Sequence, residues 1–84
     1  MVFEFVSKKR SDQERDYIHK RDEYHAIGVK EYVIVDRFKR SVLILTWQPD
    51  GYAERTLTEH DFYSTPILPK LVIPLSEAFA RLTD

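Results

Sequence analysis

The pattern of apolar and polar positions predicts strands and helices in the order βαββββα. Strands are indicated by runs rich in Val, Ile and Phe, and helices by apolar residues at i, i+3, i+4 and i+7. The predicted strands cover residues 2–6, 31–36, 41–47, 52–56 and 71–73, and the predicted helices cover residues 12–26 and 75–82. Residues 58–69, which contain Pro66 and Pro69, are predicted to be irregular. A strand, a helix and a strand at this spacing form a right-handed crossover, so strands 2–6 and 31–36 should be parallel. The fold class is α/β with a mixed sheet.

The first strand carries one carboxylate among apolar residues. Alternation puts Phe3 and Phe5 on one face and Val2, Glu4 and Val6 on the other. Both faces are largely apolar, which predicts a strand covered on both sides. Glu4 is then a mostly buried carboxylate. Burial of that kind costs free energy unless the group is paired, hydrogen-bonded or bound to a metal.

The first helix is strongly charged, even on the face predicted to point inward. Ser11-Asp12-Gln13-Glu14 matches a capping box, and Gly28 suits the left-handed position at the helix end. The predicted inward stripe consists of Tyr17, Lys20, Arg21, Tyr24 and Ile27. Two cations therefore lie in the stripe expected to face the sheet.

Composition indicates one small globular domain over residues 1–84. The chain is 43% hydrophobic and 32% charged, has a net charge of −1, and contains no cysteine. Disulfides are excluded, and oligomerisation is the remaining common way for so short a chain to bury more surface. No apolar run approaches the roughly 20 residues that span a bilayer, and no signal peptide is visible. A soluble cytoplasmic protein without membrane contact is expected.

Glu4 and Lys20 are the candidate catalytic residues. Nucleases hold Mg²⁺ with carboxylates on strands, and a nearby lysine can stabilise the charge of the reacting phosphate or orient the attacking water. A Glu4–Lys20 ion pair without catalysis, or a lysine stem lying on apolar surface, is the alternative. Lys8, Lys9 and Arg10 form a basic run beside this position and are candidate nucleic-acid contacts. The alternating acids and bases that follow also suit a solvated helix surface.

The remaining polar residues give weaker indications. His19, His25 and His60 lack the spacing of metal ligands, and Ser7 has neither a visible base nor an oxyanion hole. Asp36 follows a parallel strand, where ligand sites often lie, but a role in the following turn is favoured. The aromatic residues of the later strands are expected in the sheet and core. They are Tyr32, Phe38, Trp47 and Tyr52.

Three segments of the chain together resemble the Uma-two family of restriction endonucleases, part of the PD-(D/E)XK nuclease superfamily. They are Glu4-x-x-Ser7, Asp16-x-x-x-Lys20-x-x-x-Tyr24 and Gly28-Val29-x-Glu31-Tyr32-x-Ile34-Val35-Asp36. The stretch from Tyr63 to Pro69, with Leu71 and Pro74-Leu75, also fits. The resemblance implies a restriction-endonuclease-like core and a Mg²⁺-dependent site for cleaving DNA. It makes Glu4 the second acidic ligand and Lys20 the lysine that has moved from the strand to the helix.

The resemblance covers only the C-terminal part of the family's usual domain. Family members carry a further N-terminal portion, including a Pro-Asp strand that supplies the first metal-binding carboxylate. Their loop after the serine also tends to be a Pro-Ser turn, where this chain has Lys8-Lys9-Arg10. A chain without that strand should cut poorly or not at all, and its exposed edge strand should pair with another chain. Two readings follow: a Mg²⁺-dependent DNA endonuclease domain, or a non-catalytic module that oligomerises or binds a separate N-terminal partner.

Overall fold

The computed structural model describes residues 1–6 and 12–82, with side chains described for residues 1–6 and 18–81. The strands are β1 (Val2–Phe5), β2 (Glu31–Asp36), β3 (Ser41–Gln48), β4 (Gly51–Thr58), β5 (Phe62–Thr65) and β6 (Leu68–Pro74). The helices are α1 (Asp12–Ala26) and α2 (Leu75–Leu82). The predicted capping box at Ser11 and the basic run Lys8-Lys9-Arg10 lie outside the described residues or side chains.

The first four strands form a mixed sheet in the order β1-β2-β3-β4. β1 is parallel to β2, with Glu4 beside Ile34 in the register. β2, β3 and β4 are successively antiparallel. The predicted crossover and mixed sheet are confirmed, and the architecture is consistent with a restriction-endonuclease-like fold. No helix within the described ranges is long and apolar enough to cross a membrane.

One face of this sheet packs under α1. Its buried residues are Val6, Tyr32, Ile34, Leu45 and Tyr52. Tyr24 of α1 meets Tyr32 edge to face, with 4.9 Å between ring centroids, a geometry that aromatic rings prefer. The predicted inward position of Ile27 is wrong, because its side chain is 76% exposed beyond the last turn of the helix.

The opposite face packs under β5, β6 and α2. Val33, Val42 and Ile44 of the sheet are buried against Tyr63, Leu75 and Phe79. Leu75 and Phe79 lie four residues apart, and therefore on one face of α2, and both are buried in this core. The molecule therefore has two apolar cores, one on each side of the sheet.

The prediction that residues 58–69 are irregular is wrong. β5 lies within this segment and pairs with β6 as an antiparallel hairpin. Side chains alternate along β5: Tyr63 and Thr65 are buried, whereas Phe62 is exposed. The prolines obscured the strand signal, since Pro66 lies in the connecting turn and Pro69 beside a register irregularity, where ladder hydrogen bonds are not required.

The prediction that the first strand is covered on both sides is also wrong. Phe3 is 42% and Phe5 is 59% exposed. Phe3 meets Tyr63 of the covering layer edge to face, with 6.0 Å between ring centroids. The second layer therefore covers the centre of the sheet and leaves the apolar face of β1 largely open.

Candidate functional site

Glu4 and Lys20 meet at the margin of the sheet, on the face covered by α1. β1 places Glu4 on this face between Val2 and Val6. Lys20 lies on α1, the helix that connects β1 to β2 and packs on the same face. Lys20 Nζ donates a hydrogen bond to Glu4 Oε1 at 3.2 Å. The structure thus brings together the two residues predicted to be catalytic, although their roles remain predictions.

Both side chains of the pair remain partly open to solvent. The side chain of Glu4 is 22% exposed and that of Lys20 is 33% exposed. A fully buried ion pair would be shielded from a ligand and costly to desolvate. Here an incoming phosphate or cation could reach the carboxylate without displacing the core. The geometry therefore suits a ligand site, and it also fits the alternative of a half-exposed structural ion pair.

Arg21 ties the middle of α1 to β4. Its Nη2 atom donates to the backbone oxygen of Tyr52 at 3.3 Å and to Glu54 Oε2 at 3.2 Å. Burial raises the pKa of Tyr52 above its ordinary value, and the positive charge of Arg21 opposes this rise. Arg21 thus fixes the rotation of the helix at the position next to Lys20.

Trp47 and Tyr52 hold the last turn of α1 and the residues that follow it. The sequence predicted only that these two aromatic residues lie in the sheet and core. Trp47 Nε1 donates to the backbone oxygen of His25 at 3.0 Å, and the two rings stack with 5.1 Å between centroids. His25 Nε2 lies 2.5 Å from the backbone oxygen of Gln48. Tyr52 Oη donates to the backbone oxygen of Val29 at 2.6 Å. These contacts position α1, and therefore Lys20, from the far end of the helix.

A buried carboxylate on the opposite face escaped the sequence analysis. Glu31 is 4% exposed, and its Oε2 accepts a hydrogen bond from Tyr63 Oη at 3.0 Å. Burial first, then the hydrogen bond and the charge of Glu31, raise the pKa of Tyr63 to about 12. Because Glu31 shares its face with Val33, it lies across the sheet from Glu4. It therefore belongs to the core under β5 and not to the Glu4–Lys20 site.

Asp36 has the turn role that was favoured for it. Its Oδ1 accepts hydrogen bonds from the backbone nitrogens of Phe38 at 2.9 Å and Lys39 at 3.0 Å. Phe38 is 41% exposed in this turn, so its predicted place in the sheet or core is wrong. The core prediction holds for Tyr32 and Tyr52, which are buried.

A divalent metal does not fit the described residues of one chain by themselves. Among the residues that the structure describes, no three His, Cys, Asp or Glu side chains lie close enough together to hold a metal ion. At the candidate site Glu4 supplies one carboxylate, and its neighbour is the cation Lys20. Hard cations such as Mg²⁺ take about six oxygen ligands, some of them from water and substrate. A metal site here requires at least one more ligand from outside the described part of the chain.

Comparison with known proteins identifies the family. The Uma2 family model, described as "Putative restriction endonuclease", matches residues 1–76. No curated protein matches the chain. The matched range includes α1 and all six strands, so Glu4 and Lys20 both lie within it. The chain belongs to the Uma2 family.

Proposed function

We propose that this Uma2-family chain is a DNA endonuclease-type domain that hydrolyses phosphodiester bonds, with Glu4 as a ligand of Mg²⁺ and Lys20 as the residue that stabilises the reacting phosphate. The observation that carries the proposal is the partly exposed contact, 3.2 Å long, between the carboxylate of Glu4 on β1 and the ammonium group of Lys20 on α1. In a chain of a nuclease family, this is the pairing that metal-assisted phosphate chemistry uses. The proposal places the chain in the cytoplasm.

Lys20 can perform its proposed role, which is to stabilise charge on the phosphate, without a group from another chain. Its ammonium group is held by Glu4 on one side of a helix whose rotation Arg21 fixes. A phosphodiester that approaches Glu4 comes within reach of this positive charge. Charge that develops on the phosphate oxygens is then stabilised by a donor that is already in position.

Glu4 is the proposed metal ligand, and it does not complete a metal site alone. When bound, Mg²⁺ supplies Lewis-acid polarisation of a phosphate oxygen and a more acidic water. Because the described residues of one chain offer one carboxylate there, an isolated chain should cut slowly or not at all. A complete site needs a further carboxylate from outside the described residues, and a second copy or a separate chain is the proposed source.

DNA is the proposed substrate, with Lys8, Lys9 and Arg10 as contacts to its phosphates. These residues directly follow β1 in the sequence, and β1 carries Glu4. The net charge of −1 means that the whole molecule does not attract DNA, so recognition must depend on a local basic segment. Affinity that falls with rising salt would be the signature of such contacts.

The direct test is cleavage of supercoiled plasmid with Mg²⁺ or Mn²⁺. The wild type is compared with Glu4→Gln and with Glu77→Gln, an equivalent change at an exposed position of α2. We expect slow, metal-dependent nicking that Glu4→Gln abolishes and Glu77→Gln retains, and the absence of nicking by the wild type would show that the isolated chain has no working site. Cleavage shared by all three proteins would show a contaminant, and loss of folding in Glu4→Gln by circular dichroism would make Glu4 a structural anchor.

A second candidate function is a non-catalytic interaction module that assembles through β1. The exposure of Phe3 and Phe5 favours it, since both apolar rings lie on a strand at the margin of the sheet. Edge strands with exposed apolar residues pair readily with other chains. Stable assembly without metal-dependent cleavage, under conditions where DNA and metal are in excess, would favour this function over catalysis.

A further inference from the structure

The turn between β2 and β3 concentrates positive charge at one margin of the sheet. Three cations, Arg37, Lys39 and Arg40, lie within four residues, and one carboxylate, Asp36, comes directly before them. Elsewhere in the sequence only the run at residues 8–10 is as dense in cations. Because the net charge of the whole chain is −1, such local runs decide where an anion is attracted.

The topology places this turn beside the end of β1. β1 and β2 are parallel, so their carboxyl ends lie side by side, and the nitrogen of Val6 donates to the oxygen of Val35 at 2.9 Å. The basic turn starts two residues after Val35 in the sequence. The run at 8–10, whose residues are the proposed DNA contacts, starts two residues after Val6. The two densest runs of cations therefore follow neighbouring strand ends.

Phe38 gives the turn an exposed flat surface. This residue is 41% exposed, and Cζ of Arg37 lies over its ring, 5.0 Å from the ring centroid, within the range of a cation–π contact. Unpaired bases of nucleic acids stack on aromatic rings and on guanidinium planes. The turn thus combines cations that suit phosphates with a platform that suits a base.

Contacts at both ends hold the turn in one shape. Asp36 Oδ1 accepts hydrogen bonds from the backbone nitrogens of Phe38 at 2.9 Å and Lys39 at 3.0 Å. Arg40 Nη1 donates to Glu59 Oε2 at 3.2 Å, which ties the turn to the residue after β4. Both carboxylates are therefore engaged in contacts of the turn itself. A preorganised turn loses little conformational freedom when it binds a ligand.

We propose that this turn is a binding site for single-stranded DNA, in which a base stacks on the Arg37–Phe38 pair and Lys39 contacts an adjacent phosphate. The choice of DNA rests on the proposed function. An unpaired strand is favoured over a duplex, because paired bases stack on one another and present only their edges in the grooves. Among the residues that the structure describes, none forms an ion pair with the ammonium group of Lys39, which is thus available to a phosphate.

The turn lies close to the Glu4–Lys20 pair along the sheet. Glu4 is beside Ile34 in the register, and Asp36, where β2 ends, is two residues further on, about 7 Å along the strand. One strand of a few nucleotides can therefore contact the turn and the candidate site together. This places the turn where it can hold the strand that the candidate site would cut.

Fluorescence anisotropy with labelled DNA in EDTA tests the site without any cleavage. We expect the wild type to bind a short oligothymidylate more tightly than a duplex of the same length. Phe38→Leu should weaken binding of the single strand about tenfold, because leucine is apolar but has no ring. Phe62→Leu, the same change at an exposed residue of β5, should leave binding unchanged. Equal effects of the two changes, or tighter binding of the duplex, would overturn the proposal.

The salt dependence of the same binding tests the phosphate contact. Lys39→Gln should weaken binding and lower the slope of log affinity against log salt concentration by about 0.7. Lys70→Gln removes an exposed lysine of β6 and should leave the slope unchanged. An unchanged slope in Lys39→Gln, or an equal change in both variants, would overturn the contact at the turn.

The variant Phe38→Trp reports stacking directly. A base stacked on tryptophan quenches its fluorescence, and the native Trp47 lies at the opposite end of β3 from the turn. Oligothymidylate should quench Phe38→Trp more than the wild type, whereas inorganic polyphosphate, which has charge but no bases, should not. Equal quenching by both polyanions would overturn base stacking.

The outcomes separate this inference from the proposed function. Loss of single-strand binding in Phe38→Leu, in a protein that does not cleave DNA with Mg²⁺ or Mn²⁺, would support the binding site and refute the proposed function. Metal-dependent cleavage with single-strand binding that Phe38→Leu leaves intact would support the function and overturn the site at the turn.

Discussion

Replacing Tyr63 by Phe tests the buried contact between β5 and the main sheet. Tyr63 is 2% exposed and donates to the carboxylate of Glu31, itself 4% exposed. A hydrogen bond to a charged group contributes about 1.5–3 kcal/mol, and the variant leaves the carboxylate buried without this donor. We therefore expect Tyr63→Phe to lower the free energy of unfolding by about 2 kcal/mol at pH 8.

The same contact predicts a dependence on alkaline pH. Burial, followed by the hydrogen bond and the charge of Glu31, raises the pKa of Tyr63 from 10.0 to about 12. The phenol stays protonated in the folded state while the unfolded chain loses its proton near pH 10. Its stabilising contribution is thus complete below pH 10 and is lost as the pH rises towards 12. At pH 11 this linkage removes about 1.4 kcal/mol from the wild type, and nothing from the Phe variant at this position.

Urea denaturation at pH 8, 10 and 11 measures both effects. The fluorescence of Trp47, the single tryptophan, follows unfolding of the sheet. The gap between wild type and Tyr63→Phe should shrink from about 2 kcal/mol at pH 8 to about 0.6 kcal/mol at pH 11. In Glu31→Gln, which removes the charge, the same tyrosine change should show a weaker pH dependence. A gap that stays constant with pH would refute the raised pKa, and equal stability at pH 8 would refute the buried hydrogen bond.

Three further substitutions test the site and its supports. Lys20→Met should lower the rate of DNA cleavage about 100-fold or more, with little change in the Mg²⁺ concentration for half-maximal rate; an unchanged rate would remove Lys20 from the site. Gly28→Ala should lower the free energy of unfolding, measured in urea melts, by about 1 kcal/mol. The backbone φ of Gly28 is 81°, so backbone strain, and not a clash, opposes the added methyl group. Gly28→Asn should cost less. Trp47→Phe should cost about 1 kcal/mol in melts followed by circular dichroism, since it removes the donor to the backbone of His25; an unchanged stability would mean that this contact does not hold α1.

The crossover was predictable because its signals are local. A capping pattern, a glycine at the helix end and two apolar runs suffice to set β1 and β2 parallel with α1 between them. The same local periodicity places Glu4 and Lys20 on facing surfaces. Their contact at 3.2 Å follows from that topology, so the candidate site could be located before its geometry was known.

Burial was less predictable, because it depends on which layer covers each face. Phe3 and Phe5 look like core residues on a strand, but the hairpin of β5 and β6 covers only the centre of the sheet. Glu31 looks like the polar start of a strand and becomes buried because Tyr63 packs over it. The hairpin itself was missed since its prolines suggested a loop. The position of the hairpin thus decides the burial of Phe3, Phe5 and Glu31, all of which are far from it in the sequence.

The short strand β1 couples two properties through a shared period of two. Alternation of side chains sends Glu4 towards Lys20, and alternation of backbone groups commits Glu4 to β2 while Phe3 and Phe5 face outward. The position of Glu4 is therefore fixed within the chain, whichever strand adds at the edge. A slip of one residue would move the carboxylate to the apolar face, where its desolvation has no compensating cation.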